Sequence, residues 1–121
     1  MPNSHVQQIV ADYHHGWVAG DADRITGLLS PEVVVEVPVN AYPTREAFVA
    51  AVIAFSNMVT RVTMLDRFVN ESTALHLYDM DVKGLGPLRV AEHFTVEGGA
   101  ITRIRQIHDT HPVRLAGFVQ A

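Results

Sequence analysis

The sequence predicts an α+β fold in which three N-terminal helices pack on a curved, mostly antiparallel sheet. Apolar residues recur at helical spacing in the first half of the chain, and short alternating runs separated by turn-rich links follow from Thr60 onward. Helices followed by a run of strands are typical of α+β proteins. A single sheet of this length must bury one face, so we expect it to bend around the helices and to leave an apolar cavity at its wide end.

The helices are predicted from caps and apolar spacing. The first begins at Ser4, which has capping-box spacing to a glutamine, and ends at Gly20. Its apolar positions are Val6, Ile9, Val10, Tyr13, Trp17 and Val18. Asp21 caps a short second helix that Pro31 closes. Thr44 caps the third helix, which is the most apolar and is therefore expected to be well buried.

Five strands are predicted. The first is Val33–Val37, stopped by Pro38. The others are Thr60–Asn70, Thr73–Val82, Leu88–Val96 and Ile101–His108. Their short links are rich in Gly and Asn, which favours antiparallel hairpins. The tail from Pro112 to Ala121 is either a short helix or irregular.

Composition limits the classes of partner. The 121 residues suit one domain, 1–121, and 48% are hydrophobic. The net charge is −4 with no basic face, so we expect neither nucleic acid nor a membrane surface as a partner. The chain has no cysteine, no signal pattern and no apolar run near the roughly 20 residues of a membrane span, which predicts a cytoplasmic protein.

Glu92 is the most informative polar residue because strand alternation places it among apolar neighbours. Val90, Phe94 and Val96 share its face. Burial of a carboxylate among apolar groups raises its pKa, and such groups are often catalytic. The alternative is a structural hydrogen bond or an ion pair with an arginine.

Other pocket candidates follow from the same periodicities. Tyr13 and a tryptophan four residues later share the inner face of the first helix. The alternative is that both are core residues without a functional role. His76 and His108 fall on pocket-facing positions, although satisfied core histidines are the alternative. Of the adjacent pair His14 and His15, at least one is expected to face solvent. The remaining pocket walls are expected to come from Trp17, Met80, Phe94, Ile104 and Gln106.

Metal and nucleotide sites are not predicted. His108 and His111 are three apart at a strand end, and no HxxxH or HExxH helix exists. The sequence has no P-loop, Gly-x-Gly-x-x-Gly or Gly-x-Ser-x-Gly motif. We therefore expect no cofactor.

Several segments match a known family in order and spacing over roughly Val6 to His108. They are Tyr13 followed by Gly20-Asp21, Val33–Pro38, Ala91-Glu92-His93-Phe94, and Gly99–Ile104. Through them the chain resembles the NTF2-like superfamily, and within it the SnoaL-like proteins and ketosteroid isomerases. The resemblance implies a cone-shaped NTF2-like (cystatin-like) fold and a homodimer.

The resemblance also implies roles for pocket residues. In ketosteroid isomerases, a helix tyrosine and a protonated aspartic acid form the oxyanion hole. Tyr13 and Glu92 match these positions, so a neutral Glu92 would donate to an enolate beside Tyr13. The isomerase base is an aspartate before a proline, where this chain has Val37. Glu36 is adjacent but is turned to the opposite face, so the chain is not expected to be a ketosteroid isomerase.

Two other relatives suggest different bases. SnoaL-like polyketide cyclases use an aspartate on the last strand, at about the position of Gln106. Scytalone dehydratase uses pocket histidines, and His76 lies on the matching strand. The Asp-Arg-Asp cluster of the epoxide hydrolases of this fold is not found.

Two hypotheses remain open. The first is a cofactor-independent isomerase, cyclase or dehydratase of a small apolar carbonyl compound that is steroid-, polyketide- or terpenoid-like. His108 or His76 would be its base, while Glu92 and Tyr13 would hold the oxyanion. The second is a non-catalytic ligand-binding or dimerisation module, which would pair with a second copy through an outer sheet face bearing Leu77, Ala91 and Thr95.

Overall fold

Nine elements make up the fold of residues 2–117, the part of the chain that the computed structural model describes, with side chains described from His5 onward. In chain order they are α1 (Pro2–Val18), α2 (Ala22–Leu28), β1 (Leu29–Glu36), α3 (Arg45–Ser56), β2 (Val59–Val69), β3 (Thr73–Val82), β4 (Gly86–Glu97), β5 (Ala100–Ile107) and α4 (His111–Leu115). The predicted α+β layout is confirmed.

The five strands form one sheet in the order β1-β5-β4-β3-β2. Strands β2 to β5 pair as the predicted antiparallel hairpins, whereas β1 joins the edge of the sheet parallel to β5. The register of β2 against β3 shifts between Val59 and Arg61 and again between Met64 and Asp66. Bulges of this kind bend a strand and increase its twist, which curves the sheet around the helices.

Side-chain caps fix the starts of two helices. Asp21 Oδ1 accepts a hydrogen bond of 3.2 Å from the backbone N–H of Arg24, and Thr44 Oγ1 accepts one of 3.1 Å from Ala47. Both predicted caps are confirmed. The chain leaves α1 through Gly20, whose φ of +70° suits a residue without a Cβ atom.

Two predicted boundaries of the first two helices are wrong. Helix α1 begins at Pro2 rather than at Ser4, whose side chain lies outside the described side chains. Pro31 does not close α2, because the chain is already extended at Leu29 and the proline lies within β1. Strand β1 is an edge strand, and its register against β5 is irregular between Leu29 and Val34. Such a position tolerates proline, which has no backbone N–H to donate.

The described part of the chain has a fourth helix beyond the three predicted N-terminal ones, because α4 follows the sheet. Strand β1 separates α2 from α3, where a strand is predicted. The tail from Pro112 is therefore helical as far as Leu115, and residues 118–121 lie outside the described residues.

Helix α3 is less buried than its composition predicts. Only Phe48 and Val49 are buried, whereas Val52 and Phe55 keep part of their surface exposed. Both partly exposed side chains line a cavity. The apolar character of α3 thus supplies a cavity wall as well as the core.

The core lies between the helices and the inner face of the sheet. Alternate residues of β3 and β4 are buried, as strand alternation predicts. Phe94, Ile101 and Ile104 are fully buried. The sheet therefore presents one continuous apolar face, on which any polar side chain stands out.

Candidate active site

A cavity of about 330 Å³ opens between the sheet, α1, α3 and α4. Its volume falls at the lower end of the roughly 300–1,000 Å³ typical of small-molecule sites. Most of its walls are apolar. They consist of Tyr13, Trp17, Val37, Val39, Asn40, Tyr42, Phe48, Ala51, Val52, Ala54, Phe55, Met58, Tyr78, Met80, Leu88, Val90, Glu92, Gln106, His108 and Val113.

Glu92 forms the polar centre of this cavity. Its side chain is 1% exposed and accepts two hydrogen bonds, one of 3.1 Å from the Tyr78 hydroxyl to Oε1 and one of 2.8 Å from Gln106 Nε2 to Oε2. Burial raises the pKa of Glu92 to about 7, against the opposing effect of the two donors. The carboxyl group therefore exchanges a proton in the neutral range, where acid–base catalysts work.

Strand register explains why these three residues meet. Glu92 lies directly opposite Gln106 across the β4–β5 pair. Across the β3–β4 pair it lies opposite His76, which places Tyr78 on the diagonal, within reach of a long side chain. Tyr78 shares a face of β3 with His76, but the sequence does not single it out as a site residue, because its diagonal relation to Glu92 depends on the register.

Tyr13 contributes a second hydroxyl to the cavity. Its buried ring packs edge-on against Phe94, with 5.6 Å between the ring centroids. Burial, together with the nearby Glu92 carboxylate, raises the pKa of Tyr13, so the hydroxyl stays protonated and can donate. The hydroxyl that donates to Glu92 Oε1 is that of Tyr78 and not that of Tyr13.

His108 lines the cavity just beyond the end of β5 and is half-buried. Its Nδ1 lies 3.0 Å from the carbonyl oxygen of Asp109. The neutral tautomer with its proton on Nδ1 donates to that carbonyl and leaves Nε2 as the basic nitrogen.

Three of the predicted pocket residues are not among those that line the cavity. His76, Phe94 and Ile104 are buried in the core on the same face of the sheet. Strand alternation identified their face correctly, but it does not say how far along the strand the cavity extends. The ring of His76 packs on Phe94 at 5.3 Å, and burial lowers the pKa of His76 to about 4.

His14 extends this buried cluster and was not predicted as a site residue. It is 7% exposed, whereas the adjacent His15 is exposed. Its ring lies 5.2 Å from that of Tyr78 and 5.5 Å from that of His76. Burial and the charges of His76 and His15 lower its pKa to about 4, so its imidazole is neutral at pH 7. The sequence gives only a weak indication that His14 is buried beside the site, because a histidine on an apolar helix face is common.

Val37 lines the cavity just beyond the end of β1. Glu36 points to the other side of the sheet, where its Oε2 lies 2.8 Å from Arg105 Nε and 3.5 Å from Arg103 Nη1. The predicted orientation of Glu36 away from the pocket is confirmed.

No cluster of three or more His, Asp or Glu suited to a metal ion occurs within the described residues. Within the same range, none of the helices is both long and apolar enough to cross a membrane.

Comparisons with known proteins place the chain in a family. A family model of the SnoaL-like domain matches residues 10–104. No curated protein matches by sequence.

Among solved structures, a protein from Kribbella flavida has a TM-score of 0.83 with 29% identity, over 90% of each chain. An NTF2-like protein of unknown function from Cytophaga hutchinsonii has a TM-score of 0.80 with 14% identity, over 90% of this chain and 94% of that one. A steroid delta-isomerase from Pseudomonas aeruginosa has a TM-score of 0.77 with 13% identity, over 93% of this chain and 85% of that one. The predicted NTF2-like fold is confirmed, and the chain belongs to the SnoaL-like domain family.

Proposed function

We propose that the protein binds a small, largely apolar carbonyl compound and catalyses proton transfer on it. The observation that carries this proposal is the buried Glu92, held by Tyr78 and Gln106 on the wall of an apolar cavity, with a pKa of about 7. A group that is half protonated near neutral pH, on the wall of a mostly apolar cavity, is suited to hold or move a proton.

The ligand oxygen would sit between Glu92 and Tyr13. When Glu92 is protonated, both side chains donate, so both stabilise negative charge that develops on the oxygen as an enolate forms. His108 is the candidate base, because Nε2 remains basic when Nδ1–H donates to the Asp109 carbonyl. His76, the other histidine candidate, is not among the cavity-lining residues. Return of the proton at another atom, ring closure or loss of water completes an isomerase, cyclase or lyase reaction without a cofactor.

The apolar walls and the family favour a compact hydrocarbon skeleton as the ligand. Phe48, Phe55 and Met80 line the cavity, and no Lys or Arg does so within the described residues. The similarity to a steroid delta-isomerase supports a steroid-, polyketide- or terpenoid-like compound at the level of the fold.

A second candidate function is ligand binding without catalysis. Val37 lines the cavity where the resemblance to ketosteroid isomerases would require an aspartate base. In a binding module, Glu92 and Tyr13 would only anchor the ligand oxygen. The two candidates share the cavity and differ in whether a proton moves.

Binding of phenols with graded acidity tests the proposed oxyanion site. A phenolate mimics an enolate, so the affinity should rise as the phenol becomes more acidic. Replacing Glu92→Leu or Tyr13→Phe should weaken binding of the most acidic phenol about ten-fold or more, as for a hydrogen bond to a charged group. The sole tryptophan, Trp17, lines the cavity, so quenching of its fluorescence reports binding.

His15→Gln is the matched control, because His15 is exposed on α1 next to the buried His14. Its affinities should equal those of the unmodified protein. Affinity that is independent of phenol acidity, or equal losses in the control and in Glu92→Leu, would rule out an oxyanion site.

Deuterium exchange distinguishes the enzyme from the binding module. The protein is incubated in D₂O with an apolar cyclic ketone such as 2-decalone, and exchange of the α-protons is followed by NMR. An enzyme accelerates exchange, and Glu92→Gln and His108→Gln each slow it at least ten-fold, within the usual range for a lost acid or base. Exchange at the buffer rate, combined with tight phenol binding, would favour the binding module.

We also propose that two copies associate through the outer face of the sheet. Leu77, Ala91 and Ile107 lie side by side there, and Ile107 is 72% exposed. Ile107→Lys should shift a dimer to monomer in sedimentation velocity. Leu115→Lys, at an equally exposed apolar residue on α4, is the control and should leave the dimer intact. A monomeric unmodified protein would exclude this interface.

A further inference from the structure

The cavity has a second polar region, on the helix side. Glu92, Tyr78 and Gln106 belong to the sheet, whereas Asn40 and Tyr42 belong to the loop between β1 and α3. We call Asn40 and Tyr42 the loop pair. Both residues are partly exposed, in contrast to the buried Glu92, so the loop pair lies nearer the surface of the molecule.

The loop pair is held in a fixed geometry. Asn40 has a φ of +70°, in the left-handed region that asparagine tolerates better than most other residues. Its Nδ2 donates a 3.3 Å hydrogen bond to the Tyr42 hydroxyl, and the Tyr42 ring packs on Phe48 of α3 with 5.9 Å between centroids. Pro38 and Pro43 restrict the backbone on either side.

This geometry leaves one hydrogen-bond function available at Tyr42. Its oxygen accepts from Asn40, so its own O–H remains as a donor. No other hydrogen bond of this hydroxyl occurs within the described residues. A donor on an otherwise apolar wall is matched by an acceptor oxygen on the ligand. No Lys or Arg lies on the described wall to pair with a negative charge, and burying an unpaired charge is costly. We therefore expect the ligand oxygen at Tyr42 to be uncharged.

We infer that Tyr42 is a specificity-determining residue that selects ligands with a second, uncharged oxygen, separated by an apolar skeleton from the oxygen held at Glu92. This inference rests on the proposed function, because it assumes that the first oxygen binds at Glu92. It narrows the ligand to a bifunctional compound, a hydroxy-ketone or a diketone, with one oxygen at the sheet and the other at the loop.

Matched pairs of phenols test this inference by calorimetry. In each pair the compounds differ only in a distal hydroxyl: 4-phenylphenol with 4,4′-dihydroxybiphenyl, and 2-naphthol with 2,6-dihydroxynaphthalene. Each diol is symmetric, so its two equivalent ends give it a two-fold statistical advantage at Glu92 that does not depend on Tyr42. In the unmodified protein, the diol of at least one pair should bind about four- to twenty-fold more tightly than its partner, which is that factor multiplied by the effect of one hydrogen bond. In Tyr42→Phe, which keeps the ring on Phe48, the advantage should fall to the statistical two-fold while the affinity of the monohydroxy compound stays the same.

A charged probe and a second variant sharpen the test. 4′-Hydroxybiphenyl-4-carboxylate should bind more weakly than 4-phenylphenol, because no cation lines the described wall. Glu92→Leu should weaken both members of a pair by the same factor and so preserve their ratio.

Each outcome bears on one proposal or on both. If neither diol has an advantage beyond the statistical two-fold, or a larger advantage survives in Tyr42→Phe, the role of Tyr42 is overturned while binding at Glu92 can stand. If the monohydroxy compounds bind independently of Glu92 but the diol advantage still depends on Tyr42, the proposed function fails and the Tyr42 site stands. If no phenol binds, both proposals are overturned.

Discussion

The chemistry of single residues in this cavity depends on their neighbours. Glu92 is predictable from the sequence, because a carboxylate on an apolar strand face is rare. Tyr78 and Gln106 set how far its pKa rises, and their contact with Glu92 follows from the register of three strands. Alternation along a single strand cannot give that register. The sequence therefore predicts Glu92 and places Gln106 in the pocket, but it does not predict Tyr78 as a site residue or the contact of either donor with Glu92.

Removing either donor should raise the pKa of Glu92 above its value in the unmodified protein. Both hydrogen bonds favour the carboxylate, and that of Gln106 has the larger effect. Tyr78→Phe and Gln106→Leu should therefore move the midpoint to higher pH, with the larger shift in Gln106→Leu. The carboxyl ¹³C shift of Glu92 in an NMR titration measures this, and a midpoint that stays or falls would show that the donors do not act on the anion.

At the scale of elements, helix caps and strand alternation are predicted well, and boundaries near proline are not. Asp21 and Thr44 cap their helices as predicted, since capping is a local interaction within three residues. Pro31 lies in a strand because β5 offers β1 an edge with an irregular register. Because β5 lies about 70 residues later in the chain, the local sequence pattern around Pro31 cannot predict this pairing.

Two helix glycines should respond in opposite ways to alanine. A Cβ atom on Gly16 of α1 would lie 2.8 Å from Cγ2 of Ile25, whose side chain is fully buried and cannot move aside. Gly16→Ala should lower the free energy of unfolding by about 1–3 kcal/mol despite the better helix propensity of alanine.

Gly27 of α2 is the matched control, because a Cβ atom there would meet nothing within 4 Å. Gly27→Ala should raise the free energy of unfolding by up to about 1 kcal/mol. Urea denaturation measures both changes. Equal effects at the two sites would mean that the packing of α1 on α2 is not tight at Gly16.

For the whole molecule, buried titratable groups make stability depend on pH in opposing ways. Burial lowers the pKa of His14 and His76 to about 4, with Arg67 and His15 adding repulsion at both. The unfolded chain therefore binds more protons on these histidines between about pH 4 and 6.5, and their contribution to stability is lost as the pH falls through this window. Each shift corresponds to at most about 3 kcal/mol.

Glu92 acts in the opposite direction. Its pKa is raised to about 7, so the folded chain holds the extra proton, and its contribution to stability is lost as the pH rises through 7. Between pH 7 and 5, acidification lowers the contribution of two histidines to the free energy of unfolding and raises that of one carboxyl group. The protein should therefore lose net stability on acidification. Urea denaturation at pH 5, 6 and 7 measures this loss.

Variants separate these contributions. Glu92→Gln should steepen the loss of stability between pH 7 and 5, because the opposing proton uptake by the folded chain is removed. His76→Phe, which keeps an aromatic ring against Phe94, should flatten it. An unchanged pH dependence in both variants would show that these groups are not buried in the folded protein as described.

The parallel pairing of β1 with β5 has a consequence for synthesis on the ribosome. Within the described chain, β1 has no strand partner other than β5, which is made about 70 residues later. Until β5 has emerged, the apolar side chains of β1 have no sheet to join, and contacts so distant in sequence form slowly. The nascent chain therefore has to hold β1 unpaired while about 70 further residues are made, which is the interval in which a chaperone would be needed most.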